Sequence, residues 1–399
     1  MKDKQVIVGV TGGIAAYKAA ELVRLLVKAG ARTRVAMTEN AARFVGPLTF
    51  AALSGNRVIG EMFHHDTSPM DHISWGQESE LIIIAPATAN FIGKMAHGIG
   101  DDFLSTMVMA STAKILVCPA MNSQMYASPA VQANIKLLKE RGYAVMAPGE
   151  GHLACGYEGP GRLPEPEDIL EEAVCLIHDK DLGGIRILIT AGPTVEPIDP
   201  VRYMTNRSSG KMGFALARVA SRRGAEVTLV SGPTHLRPVP CVTFCPVATT
   251  EEMKKEVLGR SRQMDVIIKA AAVLDYRPRQ RAQHKIKKQD GMVQVTLEPT
   301  TDILAELGAM REKARWVLVG FAAETDDLLK NAKDKLVRKN LDMIVANDVS
   351  RQDAGFDSET NQVKIIHRDG RVEDLPLMGK EEVAEHILDR VREIRQGAL

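Results

Sequence analysis

From Gln5 to Val10 the chain is continuously apolar; it breaks at Gly12-Gly13 and resumes with helix-spaced apolar positions from Ala15 to Ala29. This change of period from strand to helix recurs along the first half. Arg32–Met37, Leu81–Ala85, Ile115–Cys118 and Ala144–Met146 read as strands, with helices at Pro47–Leu53, Asn90–Ala96, Phe103–Ala110 and Pro129–Arg141. The charged stretch from His178 to Gly184 closes on two glycines and suits a linker. The same rhythm then restarts. Ile185–Ala191, Ala225–Val230, Asp265–Lys269, Trp316–Phe321 and Leu341–Ala346 read as strands, with helices near Gly213–Arg223, Thr250–Arg262, Asp326–Asn340 and Glu381–Arg395. Gln362–His367 resembles an added hairpin strand, and Tyr276 to Glu298 a basic excursion. Strands apolar on both faces and alternating with helices predict parallel sheets covered on both sides. The expected fold class is α/β: two doubly wound, Rossmann-like domains, 1–180 and 181–399, each with its ligand site at the carboxyl ends of the strands.

Composition narrows the functional classes. Apolar residues make up 45% and charged residues 25%, which excludes a disordered or fibrous chain. Lys and Arg number 51 against 50 Asp and Glu, a net charge of +1 that argues against a broad electrostatic grip on nucleic acid or anionic membrane. With 4% aromatic residues, a base-stacking surface is not expected either. No stretch has the length of a signal core or a membrane span, because the apolar block from Leu81 meets Pro86. Five cysteines, an odd count at low density, form no disulfide framework, and Cys241 and Cys245 lack a second metal-ligating pair. A soluble protein of the reducing cytoplasm is expected, acting on small molecules.

Single motifs leave alternatives open. The turn Val10-Thr11-Gly12-Gly13-Ile14-Ala15 offers backbone N–H groups and a helix N-terminus to a phosphate, yet lacks the full dinucleotide fingerprint and equally suits a tight turn. Gly210-Lys211-Met212 fails as a P-loop, since Thr205 and Met212 replace a glycine and the magnesium-binding hydroxyl. His72 alone reads as a polar or packing residue. Cys155 lies in a glycine-rich loop that would carry either a reactive thiol or an inert one. Lys335 and Lys339 have the i, i+4 spacing of an ordinary solvated helix face.

In combination these segments are specific. Pro86-Ala87-Thr88-Ala89-Asn90 and Pro119-Ala120-Met121-Asn122-Ser123-Gln124-Met125-Tyr126, with His72 and Cys155, resemble the flavin-containing cysteine decarboxylases. Ala191-Gly192-Pro193-Thr194, Asn206 to Gly213, Ala271 to Tyr276, Lys285-Ile286-Lys287-Lys288, Gly320 to Thr325 and Ala346-Asn347-Asp348 resemble phosphopantothenate–cysteine ligase. End to end, the chain resembles the bifunctional phosphopantothenoylcysteine decarboxylase/phosphopantothenate–cysteine ligases of bacterial coenzyme A synthesis. Thr300-Thr301-Asp302-Ile303 departs from the Asn-Pro-Asp-Ile often found there.

The resemblance implies an FMN-dependent, flavodoxin-like first domain and a CTP-dependent ligase domain using Mg2+. FMN is then expected at Gly12, Gly13, Thr38, Pro86, Thr88, Ala89, Asn90 and Met121. His72 is expected to act in the oxidative stage, Asn122 to bind the substrate carboxylate and Cys155 to return a proton. In the ligase half, Asp275, Lys285, Thr301, Asp302, Ile303, Phe321, Lys335 and Lys339 are expected at CTP, with Asn206 at the activated carbonyl and the magnesium ligands unassigned. A homo-oligomer, up to a dodecamer with sites between subunits, is also implied. Two readings from other classes are a nicotinamide-dependent oxidoreductase and a catalytically silent regulatory subunit.

Overall fold

The computed structural model describes residues 1–62, 68–152, 158–287, 294–311, 316–324, 328–348 and 358–397, which divide into two units, Met1–His178 and Asp179–Leu399. The first unit is built on a six-stranded sheet. Its strands lie in the order Val58–Ile59, Arg32–Met37, Gln5–Val10, Leu81–Ala87, Lys114–Pro119, Ala144–Val145, and every pairing is parallel. Alternation along the strands separates two cores. Val6, Val8, Val10, Leu81, Ile83 and Ala85 pack on one face with Leu22, Val23 and Leu26, while Ile7, Ile82 and Ile84 pack on the other with Phe91, Phe103 and Leu104. Each such side chain contributes roughly 1.5–3 kcal/mol on burial. Both faces are therefore covered, as the uniformly apolar strands predict.

The second unit repeats this order and extends it. Its parallel strands run Thr243–Pro246, Glu226–Ser231, Arg186–Ala191, Val266–Lys269, Val317–Glu324, Met343–Asp348, followed by Val363–His367 and Val372–Asp374 as an antiparallel edge. The edge pair is the added hairpin expected near Gln362. Arg223, only 4% exposed, ties the unit's first residues to its last helix through Asp181, Glu385 and Asp389. In both sheets the first strand lies beside the fourth sheet strand in chain order, so the strand order reverses between Gln5–Val10 and Leu81–Ala87, and again between Arg186–Ala191 and Val266–Lys269.

Several elements depart from the sequence pattern. Helices Asp71–Glu78, Pro166–Ile177 and Ile303–Met310, and the hairpins Gly149–His152/Glu158–Arg162 and Val195–Pro197/Tyr203–Thr205, stand where no element was expected. The hairpins and the two eight-residue helices are too short to show a clear period, whereas Pro166–Ile177 is amphipathic, burying Ile169, Ala173 and Val174, and was overlooked. The excursion after Tyr276 is a strap whose ends, Tyr276–Pro278 and Leu297–Pro299, pair antiparallel.

Candidate active sites

In the first unit a cavity of about 450 Å3 opens at the carboxyl ends of Gln5–Val10 and Leu81–Ala87. Gly12, Gly13, Thr88, Ala89, Met121 and Asn122 line it, joined by Lys18, Gly161 and Arg162. Backbone sterics shape this wall. A Cβ on Gly12 would lie 2.4 Å from Cβ of Asn40, and one on Gly161 would lie 2.2 Å from the Met121 carbonyl at φ +148°. Gly161 accepts a hydrogen bond from Met121 N at 2.9 Å, which fixes the hairpin against the segment that carries Asn122. The hydroxyl of Thr11 clasps the two strand ends: it donates to Pro86 O at 2.7 Å and accepts from Thr88 N at 3.0 Å.

Thr38 begins the helical turn Glu39–Ala42, and its backbone N–H donates to Val10 O at 3.0 Å. Among the described residues its hydroxyl is buried without a hydrogen-bond partner. Such a group normally finds a partner, and its solitude beside the glycine turn suits an absent ligand. Lys18 and Arg162 both face Glu165, at 2.9 Å and 3.9 Å, and bring positive charge to the cavity. Asn122 caps the helix Ser123–Ala127 by accepting from Gln124 N at 2.8 Å, which orients the amide. Pro86, Asn90 and Thr38 do not line the cavity themselves.

His72 is also not among the lining residues. It sits on the helix Asp71–Glu78, which is held by Arg57 on Asp71 at 2.6 Å and by Trp75 edge-on to Phe103 at 5.7 Å. Cys155, with Lys288 and Thr325 of the quoted motifs, lies outside the described residues.

The second unit holds a smaller and more polar cavity of about 130 Å3. Asp275, Thr301, Asp302, Ile303, Phe321, Lys335 and Lys339 all line it, so the fold gathers residues up to 64 positions apart that the resemblance singled out separately. Asp302 caps the helix Ile303–Met310 by accepting from Ala305 N at 3.0 Å, and it accepts from Lys339 at 2.6 Å. Burial pushes its carboxyl up, but the Lys339 ammonium and the Ala305 N–H outweigh this and hold it below the usual range. Lys335 donates to Phe321 O at 3.4 Å.

This cavity does not sit where the strand order reverses. There, Thr194 N donates to Ala272 O at 3.4 Å and Ala272 N to Gly192 O at 3.0 Å, so the two loops are clasped together. The cavity opens one strand further on, between the ends of Val266–Lys269 and Val317–Glu324. Asn206 belongs to the clasp: its amide donates to Ala272 O at 3.2 Å and to Val273 O at 3.1 Å. Both of its donor bonds are thus spent on backbone. Lys285 is exposed on the strap and does not line the cavity. The residue after it is gripped from both sides, Ile286 N donating to Asp199 at 3.1 Å and Ile286 O accepting from Arg202 at 3.1 Å. Among the described residues no group of three or more His, Cys, Asp or Glu is placed to hold a metal ion.

Comparison with known proteins gives these two sites their context. The flavoprotein family model matches residues 1–178, and the model for the DNA/pantothenate metabolism flavoprotein C-terminal domain matches residues 182–394. The coenzyme A biosynthesis bifunctional protein CoaBC of Bacillus subtilis (strain 168) is 48% identical over 98% of this chain and 97% of its own length. The chain belongs to this family. It is an enzyme of coenzyme A biosynthesis that combines a flavoprotein decarboxylase with a ligase, and the silent regulatory reading falls. The crystal structure of the C-terminal domain of a CoaBC protein is 46% identical and covers 55% of this chain and 100% of that one, with a TM-score of 0.47. The FMN-dependent cysteine decarboxylase SpaF is 31% identical over 43% of this chain and 94% of its own, with a TM-score of 0.39. No described helix is long and apolar enough to cross a membrane.

Sequence reasoning missed Lys18, Gly161 and Arg162 at the first cavity and Lys269 at the second. It also missed Asp199 and Arg202, which hold the strap. Lys269 carried a legible signal, a charged residue ending the otherwise apolar strand Val266–Lys269. Asp199 carried none, because its partner Ile286 is 87 residues away.

Proposed function

We propose that the CoaBC-type chemistry of this chain divides at the boundary between the two units. Residues 181–399 join 4'-phosphopantothenate to L-cysteine with CTP, through an acyl-cytidylate. Residues 1–180 hold FMN and decarboxylate the resulting 4'-phosphopantothenoyl-cysteine to 4'-phosphopantetheine. The observation that carries the flavin half is the cavity at the Gly12-Gly13 turn, where Asn40 leaves no room for a side chain on Gly12 and Lys18 and Arg162 bring positive charge. Gly12, Gly13, Thr38, Thr88, Ala89 and Met121 would hold FMN, and Lys18 and Arg162 supply charge suited to a phosphate. Bound there, FMN supplies a reversible hydride acceptor, so the reaction needs no net oxidant.

The chain's own residues then bind and move protons. Asn122 presents an oriented amide to the substrate carboxylate. Cys155 returns a proton after carbon dioxide has left, a task suited to a thiol with a reference pKa of about 8.5. His72 acts in the oxidative stage, as a base or by orienting the substrate thiol. Since His72 does not line its own cavity, it serves the site of a neighbouring copy, and the exposed Ile14, Tyr17 and Met125 at the cavity offer that copy an apolar contact. This arrangement implies a homo-oligomer.

In the ligase half, a carboxylate must be activated before an amine attacks it. The lysines around the second cavity neutralise the crowded anions, and Mg2+ arrives on the triphosphate as part of the substrate. Asn206 meets the activated carbonyl by giving up one of its two bonds to the clasp, and Lys285 reaches the phosphates from the strap. The purified chain should be yellow and release FMN; with CTP and phosphopantothenate it should release pyrophosphate, and CMP should follow only when cysteine is added. A colourless protein that cannot be reconstituted with FMN refutes the first assignment. Equal turnover with CTP omitted refutes the second.

A further inference from the structure

Strand Val266–Lys269 lies near the middle of the second sheet, between Arg186–Ala191 and Val317–Glu324, and its last residue is a lysine. Side chains alternate along a strand, so Lys269 shares the face of Ile267, which packs with Ile303, Leu304, Ala332 and Leu336. That face holds the 130 Å3 cavity, and Lys269 lines it. The residue is 9% exposed. Among the described residues its ammonium makes no hydrogen bond and no ion pair. Lys339, by contrast, is tied to Asp302 at 2.6 Å, and Lys335 donates to Phe321 O.

A cation withdrawn this far from water is normally paired, because an unpaired charge in such a place is costly. Among the described residues Lys269 has no such partner, and it is not replaced by the apolar residue that would suit the rest of its strand. Resting on the nucleotide reading given above, we propose that Lys269 is an additional anion-binding residue of the ligase site, which engages a phosphate of the bound nucleotide directly and takes up a proton as it does so.

The charges around it support the second clause. Burial pushes the Lys269 ammonium down to about 8, with Lys339 and Lys335 acting in the same direction and Asp302 and Asp275 opposing them. Those four groups come from the helix Leu328–Arg338 and the residues following it, from the cap of Ile303–Met310, and from the loop after the strand itself. The neighbouring strands place Thr190 and Gly320 opposite Lys269, and neither is charged. An arriving phosphate adds negative charge beside the amine and favours its protonated form, so binding and protonation are linked. At pH 8 roughly half of the amine is neutral beforehand, and binding takes up about half a proton.

Titration calorimetry of the full-length protein with CTP and magnesium, repeated at pH 8 in buffers of different ionisation enthalpy, measures this uptake. The wild type should take up about half a proton. Lys269→Met removes the charge but keeps the length of the stem; it should lose that uptake and bind CTP about ten-fold more weakly. Lys269→Arg is always charged and should bind CTP within about three-fold of wild type while taking up no proton. CTP binding by the wild type without proton uptake, or Lys269→Met retaining wild-type affinity and uptake, overturns the proposal and leaves the nucleotide reading standing. A wild type that binds neither CTP nor ATP overturns both.

Discussion

The two cavities sit on sheets of the same strand order, yet they are made in opposite ways. The first is about 450 Å3 and is shaped by backbone: glycines at 12 and 161 admit no side chain, one threonine clasps two strand ends, and another holds an unused hydroxyl. The second is about 130 Å3 and is shaped by charge, with Lys269, Lys335 and Lys339 set against Asp275 and Asp302. The difference follows from where each fold leaves space. At the first strand-order reversal Thr11 ties the two strand ends together, yet the cavity still opens there beside the Gly12-Gly13 turn. At the second, the contacts of Gly192, Thr194 and Asn206 with Ala272 and Val273 fill that place and displace the cavity by one strand, onto the ends of lysine-bearing elements. A shared topology therefore does not impose a shared ligand.

This contrast is most easily broken at Gly161. Gly161→Ala places a Cβ against the Met121 carbonyl at an unfavourable φ, so the first unit should lose roughly 2–4 kcal/mol and most of its bound flavin. CTP affinity should be unchanged. Visible absorbance and calorimetry report the two halves separately, and full flavin content in this variant would refute the steric account of the first cavity.

Asn206→Asp should come next in effect. It sets a carboxylate against the Ala272 and Val273 carbonyls, and ligase turnover should fall about 100-fold while the flavin content stays normal. Normal ligation by this variant would show that the clasp does not matter.

Acid should separate the halves more gently. In the second unit Asp181, Asp265, Asp302, Glu373 and Glu381 are all held below their ordinary range despite burial, by partners such as Arg223, Arg186, Lys339, Arg390 and Arg222. Carboxyls lowered in the folded state stabilise it above their unfolded values, near 4, and that stability is lost as the pH falls through the folded values. Glu385, raised by burial, works in the opposite direction. The first unit has only Glu80 and Asp101 lowered among its described residues, both close to solvent. Calorimetry from pH 5 to pH 2.5 should show the second unit's transition falling faster. Parallel decline of both transitions would contradict the charge-built description of the second unit.

The smallest change in stability is expected for Thr38→Val. Its hydroxyl has no partner to lose, so the flavin-free protein should shift by less than about 1 kcal/mol, while FMN binds about five-fold more weakly. Unchanged FMN affinity would remove Thr38 from the site.

Much of this was readable in the order of residues. The central strands of both sheets follow from continuous apolar runs such as Gln5–Val10 and Arg186–Ala191, whose alternate side chains feed two cores. Helices Phe103–Ala110 and Thr250–Ser261 begin at capping boxes on Asp102 and Thr249, which are local signals. Short elements such as Val58–Ile59 and Thr243–Pro246 were missed because two to four residues show no period of their own; they are strands only because a neighbour supplies their hydrogen bonds. At the sites, spaced motifs singled out Asn122 and Asp302, which line the cavities, but gave no sign that His72 and Lys285 stand apart from them.

What the sequence determined by itself was the set of parts: two α/β units, their parallel strands, the glycine turn at Gly12-Gly13 and the family. These depend on periodicity, local punctuation and identities that a linear string contains. The tertiary structure alone decided which parts meet. Asp199 reaches Ile286 across 87 positions, Lys339 reaches Asp302, and Lys269 becomes a buried cation because helices far along the chain close over its strand. Burial and charge balance are properties of neighbours in space, and the chain acquires them only when distant segments pack.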